Sequence, residues 1–307
     1  MVLGANKVAL MGVAGAGGGH GYSTGGQYPN DGANLNIIDK FPFASDSNAT
    51  DIADLTVARR FSSGNQSSVS GYTGGGYTDG ASDVIDKFPF ASDSNATDVG
   101  NLTDGQYRQG PASSSASGYW AGGDAGAILD TIEKNSFSSD GNASNVGDLL
   151  DPVYGLSGAA SSASGYGSGG VVLGSYMNVI EKWSFSSDGN STDVGNLTLA
   201  RSDGSGCSSD ASGYKCGGYR SAGDVDIIDK FAFASDGDAT DVGDLIAGET
   251  YGAGASSNEN GYSFGANLGA GNLSNVIQKF SFSSDGNASD IADLSEERQM
   301  NAGISDA

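Results

Sequence analysis

Side chains able to bind an ion recur in an Asp-x-Asn-Ala-Thr-Asp segment. Oxygen side chains that alternate along a turn can bind Ca²⁺. The segment lacks the spacing and the bidentate Glu of a calcium loop, however, and hairpin turns need the same residue types. We therefore interpret it as a turn and predict no metal site. Its copies begin at Asp46, Asp93, Asp140, Asp188, Asp236 and Asp285.

Few side chains could support catalysis. The chain has one histidine, His20, in a glycine-rich run, and an imidazole-based triad could be built only around it. One His and two nearby Cys make no recognisable zinc ligand set. The carboxylates repeat along the chain, whereas an active site usually needs one asymmetric set. We expect a protein that is not an enzyme, with no catalytic, metal-binding or cofactor-binding residues and no cofactor.

The two cysteines, Cys207 and Cys216, flank the turn before Gly213. They could face each other across neighbouring strands, so a disulfide and two free thiols are both open alternatives. The fold does not depend on a bridge, because the corresponding segments of the other copies have no cysteine.

One tyrosine recurs at the same point of every copy. Such rings could stack on sugars, or they could pack between neighbouring sheets. We favour packing because every copy has one. The six are Tyr22, Tyr72, Tyr119, Tyr166, Tyr214 and Tyr262.

All these residues belong to one long repeat whose period is 47 to 50 residues, the spacing of its Gly-Tyr pairs. This period suits one four-stranded sheet per copy. In the second copy, residues 84–90 predict a strand, 92–95 a tight turn and 96–102 the returning strand. The small side chains of residues 64–70 predict a narrow strand at a crowded ring axis. The pairs begin at Gly21, Gly71, Gly118, Gly165, Gly213 and Gly261.

Composition argues against helices, because 51 of the 307 residues are Gly. No apolar run reaches the roughly 20 residues of a membrane-spanning helix, so we expect no membrane span. The formal charge of −23 makes nucleic acid a poor partner, since phosphate binding relies on clustered Lys and Arg.

The two ends of the chain complement each other. The last copy stops after Arg298 without a further Gly-Tyr, and the first Gly-Tyr, at Gly21, has no matching segment before it. Joining them gives six whole units and removes exposed sheet edges. We predict an all-β, six-bladed β-propeller over residues 21–307, with four-stranded antiparallel blades and the C-terminal strand paired to the N-terminal repeat. Residues 1–20 are predicted to be an extension, either an extra strand or an anchoring arm.

The repeat resembles the kelch-type propeller repeat, in which an Arg-bearing inner strand precedes a strand ending in a double glycine. Most copies have Phe where that family has Trp. The double glycines are Gly25-Gly26, Gly75-Gly76, Gly122-Gly123, Gly169-Gly170 and Gly217-Gly218, with Gly265-Ala266 as the sixth. The residues that correspond to the arginine of the kelch-type repeat are predicted to be Arg59 or Arg60, Arg108, Arg201 and Arg298.

One sequence motif of the repeat is similar to repeats in structural proteins of tailed phages, especially cyanophages. The motif is Ile-Asp-Lys-Phe-x-Phe-Ala-Ser-Asp-Gly-Asn-Ala-Thr-Asp. The resemblance implies a non-enzymatic virion protein on the particle exterior: a capsid decoration, tail or fibre component. Its expected partners are other virion structural proteins and a glycan or receptor on the host surface, with several copies per particle. A second hypothesis is a carbohydrate-binding, lectin-like propeller, and a third is a hydrolase that uses scattered carboxylates.

Overall fold

A computed structural model describes residues 19–29 and 32–306 of the chain. The predicted N-terminal extension, residues 1–20, lies outside the described residues except for its last two. Among the described residues there is no helix long and apolar enough to cross a membrane.

The described residues form β-strands joined by turns and loops. In chain order the strands are β1 (His20–Thr24), β2 (Ile37–Pro42), β3 (Thr50–Asp54), β4 (Ser63–Gln66), β5 (Ser70–Gly74), β6 (Val84–Pro89), β7 (Thr97–Asn101), β8 (Gly110–Ser113), β9 (Ser117–Asp124), β10 (Ile128–Ser136), β11 (Ser144–Asp148), β12 (Ser157–Ala160), β13 (Ser164–Ser168), β14 (Val171–Val172), β15 (Ser175–Tyr176), β16 (Val179–Ser184), β17 (Thr192–Asn196), β18 (Ser205–Ser208), β19 (Ser212–Cys216), β20 (Tyr219–Arg220), β21 (Gly223–Ala232), β22 (Thr240–Glu249), β23 (Ala253–Ser256), β24 (Asn260–Phe264), β25 (Ser274–Ser281), β26 (Ser289–Arg298) and β27 (Ala302–Ser305).

Six antiparallel blades form a ring, as the sequence predicts. From the innermost strand outward, blade 1 is β27-β1-β2-β3, blade 2 is β4 to β7, blade 3 is β8 to β11, blade 4 is β12-β13-β16-β17, blade 5 is β18-β19-β21-β22 and blade 6 is β23 to β26. The short strands β14, β15 and β20 extend the connections within blades 4 and 5. Each innermost strand contacts those of both neighbouring blades, and β23 contacts β27 to complete the circle.

The ring closes through the two ends of the chain. Strand β27 pairs antiparallel with β1, so that Tyr22 lies opposite Ile304. In blades 2 to 6 a serine at the turn caps the second strand, as Ser67 Oγ does by accepting the N–H of Ser70 at 3.0 Å. In blade 1 the carboxylate of Asp306 takes this role and accepts the N–H of His20. It also accepts the Tyr22 hydroxyl at 2.9 Å and lies 3.0 Å from the His20 ring nitrogen Nδ1.

The axis is crowded, as the small inner side chains predict. A Cβ added to Gly206 would clash with the carbonyl oxygen of Gly158 in the preceding blade. The innermost strands therefore approach one another backbone to backbone. The equivalent positions are Gly64, Pro111, Gly158, Gly206, Gly254 and Gly303.

Aromatic rings fill the space between blades. The recurring tyrosine of each blade stacks on a Phe of the next blade, with ring centroids 4.6 to 5.1 Å apart. These tyrosines are only 1 to 2% exposed, so they cannot act as sugar platforms, and the packing interpretation is confirmed. The stacked pairs are Tyr22–Phe90, Tyr72–Phe137, Tyr119–Phe185, Tyr166–Phe233, Tyr214–Phe282 and Tyr262–Phe43.

Candidate functional site

The propeller has two unlike faces because antiparallel strands alternate in direction. The upper face carries the loops between the second and third strands of each blade, and those from each outer strand to the next blade. The lower face carries the turns between first and second strands and the hairpins between third and fourth strands.

A ring of six backbone hydrogen bonds surrounds the axis at the upper face. Its residues lie two positions before each innermost strand, and all have positive φ between 56° and 73°. Each N–H donates to the carbonyl of the equivalent residue in the preceding blade over 2.7 to 3.0 Å, and the sixth bond closes the circle. The members are Phe61, Arg108, Gly155, Asp203, Tyr251 and Met300.

One ion pair spans this ring. The Arg108 guanidinium binds both carboxylate oxygens of Asp203, with Nε 2.9 Å from Oδ1. Glycine at position 155 leaves room for this contact, since a Cβ there would lie 2.8 Å from Asp203 Oδ1. Burial opposes the charge of Arg108, but Asp203 raises the pKa of the guanidinium above its ordinary value. The rings of Tyr154, Phe61 and Tyr251 lie 4.5 to 5.5 Å from the guanidinium carbon.

This position corrects the sequence assignment of Arg108. The buried interblade arginines are Arg59, Arg201 and Arg298, each four residues after the leucine of a repeated Asp-Leu or Asn-Leu pair. They bind Asp86, Asp229 and Asp39 over 2.7 to 2.8 Å. In the copy that contains Arg108, the residue four positions after this leucine is Gln106. The same spacing identifies Arg59, rather than Arg60, as the interblade arginine. The distance of four residues from the leucine is therefore the sequence signal that separates the interblade arginines from Arg108.

Seven tyrosines stand outside the recurring position, and all lie in upper-face connections. Tyr107 donates its hydroxyl to Asp124 at 2.8 Å, and burial together with this bond raises its pKa to about 12. The rings of Tyr176 and Tyr219 lie 5.9 Å apart on neighbouring blades. Sequence reasoning missed this clustering, although these tyrosines are the ones that break the repeat. They are Tyr28, Tyr77, Tyr107, Tyr154, Tyr176, Tyr219 and Tyr251.

Exposed apolar side chains gather on the same face. Of the seven large hydrophobic side chains that are exposed in the described residues, six lie on upper-face connections or at the upper end of β22. The exception, Val69, lies in a lower-face turn. The upper-face residues are Val57, Leu150, Leu173, Tyr219, Ile246 and Leu268.

An axial cavity of about 660 Å³ lies inside the ring of innermost strands. Its lining extends from the upper hydrogen-bonded ring to the lower-face turns. Serines dominate the lower end, joined by Gln66, Asp210 and Asn258.

The predicted Asp-x-Asn turns are confirmed, and their oxygens join blades together. The first Asp of each turn binds a Lys of the preceding blade over 2.6 to 3.0 Å, in a belt that includes Lys279–Asp46. The next side-chain oxygen accepts a backbone N–H of the preceding outer strand, as Asn95 Oδ1 does from Asp54 at 3.2 Å. In the described part of the chain, no group of three or more His, Cys, Asp or Glu side chains could hold a metal ion.

Lys215 and Glu249 are buried between blades, and burial shifts the pKa of each strongly. Burial lowers the pKa of Lys215 to about 7, and its Nζ lies 2.6 Å from Ser157 Oγ. A neutral lysine beside a serine can act as a general base, but both residues are buried, so a substrate cannot reach them. Burial also raises the pKa of Glu249 to about 7. Cys207 and Cys216 are buried free thiols, which is the second of the two alternatives for this pair.

No protein-family model matches the chain, and no curated protein is significantly similar to it. The architecture is that of a six-bladed β-propeller.

Proposed function

We propose that this protein is a non-enzymatic structural component of a tailed-phage particle, built on a kelch-like repeat and present in several copies on the particle exterior. In this role the propeller binds other virion structural proteins. The similarity of the repeat sequence to repeats in phage structural proteins supports a location on the particle. The binding role is supported by the fold, in which the repeated carboxylates and tyrosines hold blades together rather than form a reactive centre.

The observation that carries the proposal is the contrast between the two faces. Protein interfaces are enriched in tyrosine, arginine and exposed apolar groups, and large exposed apolar patches mark interaction sites. The upper face has the non-repeat tyrosines, most of the exposed large hydrophobic residues, and Arg60, Arg108 and Arg220. We therefore propose that the upper face docks on the particle.

The lower face suits exposure to solvent. Ser, Asp, Asn and Gly predominate in its turns, and its lysines are occupied in the belt of salt bridges. With a net charge of −23, neighbouring copies repel each other and remain soluble. The same charge disfavours nucleic acid as a partner.

Mass spectrometry of gradient-purified particles tests the location directly. We expect peptides of this chain at a stoichiometry of several copies per particle. Their absence from intact particles, with the protein recovered only from the soluble lysate, would refute the virion role.

Paired surface variants test the docking face. Leu173 is 92% exposed and Tyr219 38% exposed on the upper face, so Leu173→Ser with Tyr219→Ser should reduce incorporation without unfolding the ring. Val69, 65% exposed on the lower face, is the matched control, and Val69→Ser should incorporate normally. Equal incorporation of both variants would contradict docking through the upper face.

A further inference from the structure

We infer that the axial cavity is a binding site for a neutral carbohydrate that enters from the lower face. Its volume of about 660 Å³ is within the usual range of ligand sites, roughly 300 to 1,000 Å³. The inference rests on the cavity alone and is independent of the docking role proposed for the upper face.

Hydroxyl donors line one side of the cavity. In blades 5, 6 and 1, Ser208, Ser256 and Ser305 each accept a backbone N–H of the preceding blade over 2.9 to 3.0 Å. These bonds fix the three oxygens on adjacent blades. Among the described residues none of the three hydroxyls donates a hydrogen bond, so each O–H can be donated to a ligand.

Two planar polar side chains stand at the entrance on the same side. Asp210 and Asn258 occupy one turn position in blades 5 and 6, and both are exposed and line the cavity. In blades 2 and 3 the same position holds Ser68 and Ser115, which do not line it. A carboxylate and an amide can each pair with adjacent hydroxyl groups of a sugar, because each offers two polar atoms at a fixed angle.

The opposite side combines polar groups with two apolar ones, and Gln66, Ser113 and Ser162 supply the polar groups there. Pro111 in blade 3 and Ala160 in blade 4 line the cavity across the axis from blades 6 and 1. A pyranose has hydroxyls at its edge and an apolar C–H face, so it can use both the polar groups around the cavity and the apolar surface of Pro111 and Ala160.

Charge favours a neutral ligand. Of the cavity's charged lining residues, Arg108 and Asp203 already bind each other. Asp210 remains as a carboxylate at the mouth, and it disfavours acidic sugars by repulsion. A neutral hexose or a neutral residue of a longer glycan fits this distribution.

The test uses the full chain on an array of bacterial surface glycans, followed by calorimetric titration with the best neutral ligand. Asp210→Ala with Asn258→Ala removes the two planar groups, and we expect about tenfold or greater loss of affinity from two lost hydrogen bonds. Ser68→Ala with Ser115→Ala, at the same turn position, should keep affinity within about twofold. Unchanged thermal melting of both variants confirms that they are folded.

Several outcomes would overturn the inference. The carbohydrate site is refuted if the protein binds no neutral glycan. It is also refuted if the two double variants bind the glycan with equal affinity. Binding that survives the cavity variant but is lost in Tyr219→Ser assigns the glycan to the upper face instead. None of these results bears on whether the protein is a particle component.

Discussion

Glu249 should make the protein less stable at neutral than at mildly acidic pH. This carboxyl is 3% exposed, and burial raises its pKa from 4.5 to about 7. In the unfolded chain it ionises near its ordinary value, so between about pH 4.5 and 7 the folded state holds a proton that the unfolded state has lost. The free energy of unfolding therefore falls as pH rises through this window.

The size of the effect follows from the shift in pKa. One pKa unit corresponds to about 1.4 kcal/mol, so this carboxyl lowers the free energy of unfolding by roughly 3 kcal/mol between pH 4.5 and 7. Glu249→Gln imitates the protonated acid. Its carbonyl can accept Gln278 Nε2, now 2.7 Å away, and its amide can donate to Ser263 Oγ at 2.5 Å. Ser263 can in turn donate to Ser205 Oγ at 2.8 Å.

Urea unfolding at pH 5, 6 and 7, followed by the fluorescence of the buried Trp120 and Trp183, measures this difference. We expect Glu249→Gln to exceed the wild type in stability at pH 7 and to lose this advantage towards pH 5. Glu259→Gln, at an exposed turn, is the control and should follow the wild type at every pH. A Glu249→Gln protein that is less stable at pH 7, or whose advantage does not change with pH, would refute the reasoning.

Three further outcomes follow from the fold. Asp306→Ala removes the cap that closes blade 1 and should lower the free energy of unfolding by about 2 to 3 kcal/mol. This loss should exceed that of Ser67→Ala, which removes the cap of a blade whose strands are continuous in the chain. Equal losses in urea unfolding would mean that closure does not depend on this carboxylate. Gly206→Ala should destabilise the ring strongly because its Cβ would clash with the Gly158 carbonyl, whereas Gly80→Ala, with open space around it, should melt within about 2 °C of the wild type; the idea fails if the two variants melt together. EDTA should leave the melting temperature unchanged, because the turn carboxylates already bind lysines; a marked decrease would reinstate a calcium site.

Much of the architecture could be read from the repeat. A period near 48 residues predicts the four-stranded blade, and Asp-Gly hairpins predict the outer turns, where Asp140 and Gly141 both have positive φ. The complementary ends predict closure, which the pairing of Tyr22 with Ile304 confirms. These features are local or periodic, so sequence spacing alone determines them. The burial of the recurring tyrosines follows from the same periodicity, since each blade must cover the next.

The candidate sites depend on positions that the period does not fix. Arg108 lies two residues after the position at which other copies have a buried interblade arginine. Only the path of the backbone brings it to Asp203, 95 positions later. The closed hydrogen-bonded ring and the axial cavity each need one residue from every blade, so no single copy reveals them. Sequence determined the blade and the number of blades, because hydrogen bonding and packing repeat with the chain. Tertiary structure alone decided which side chains meet at the axis and between loops of different blades, because those contacts join residues that only ring closure brings together.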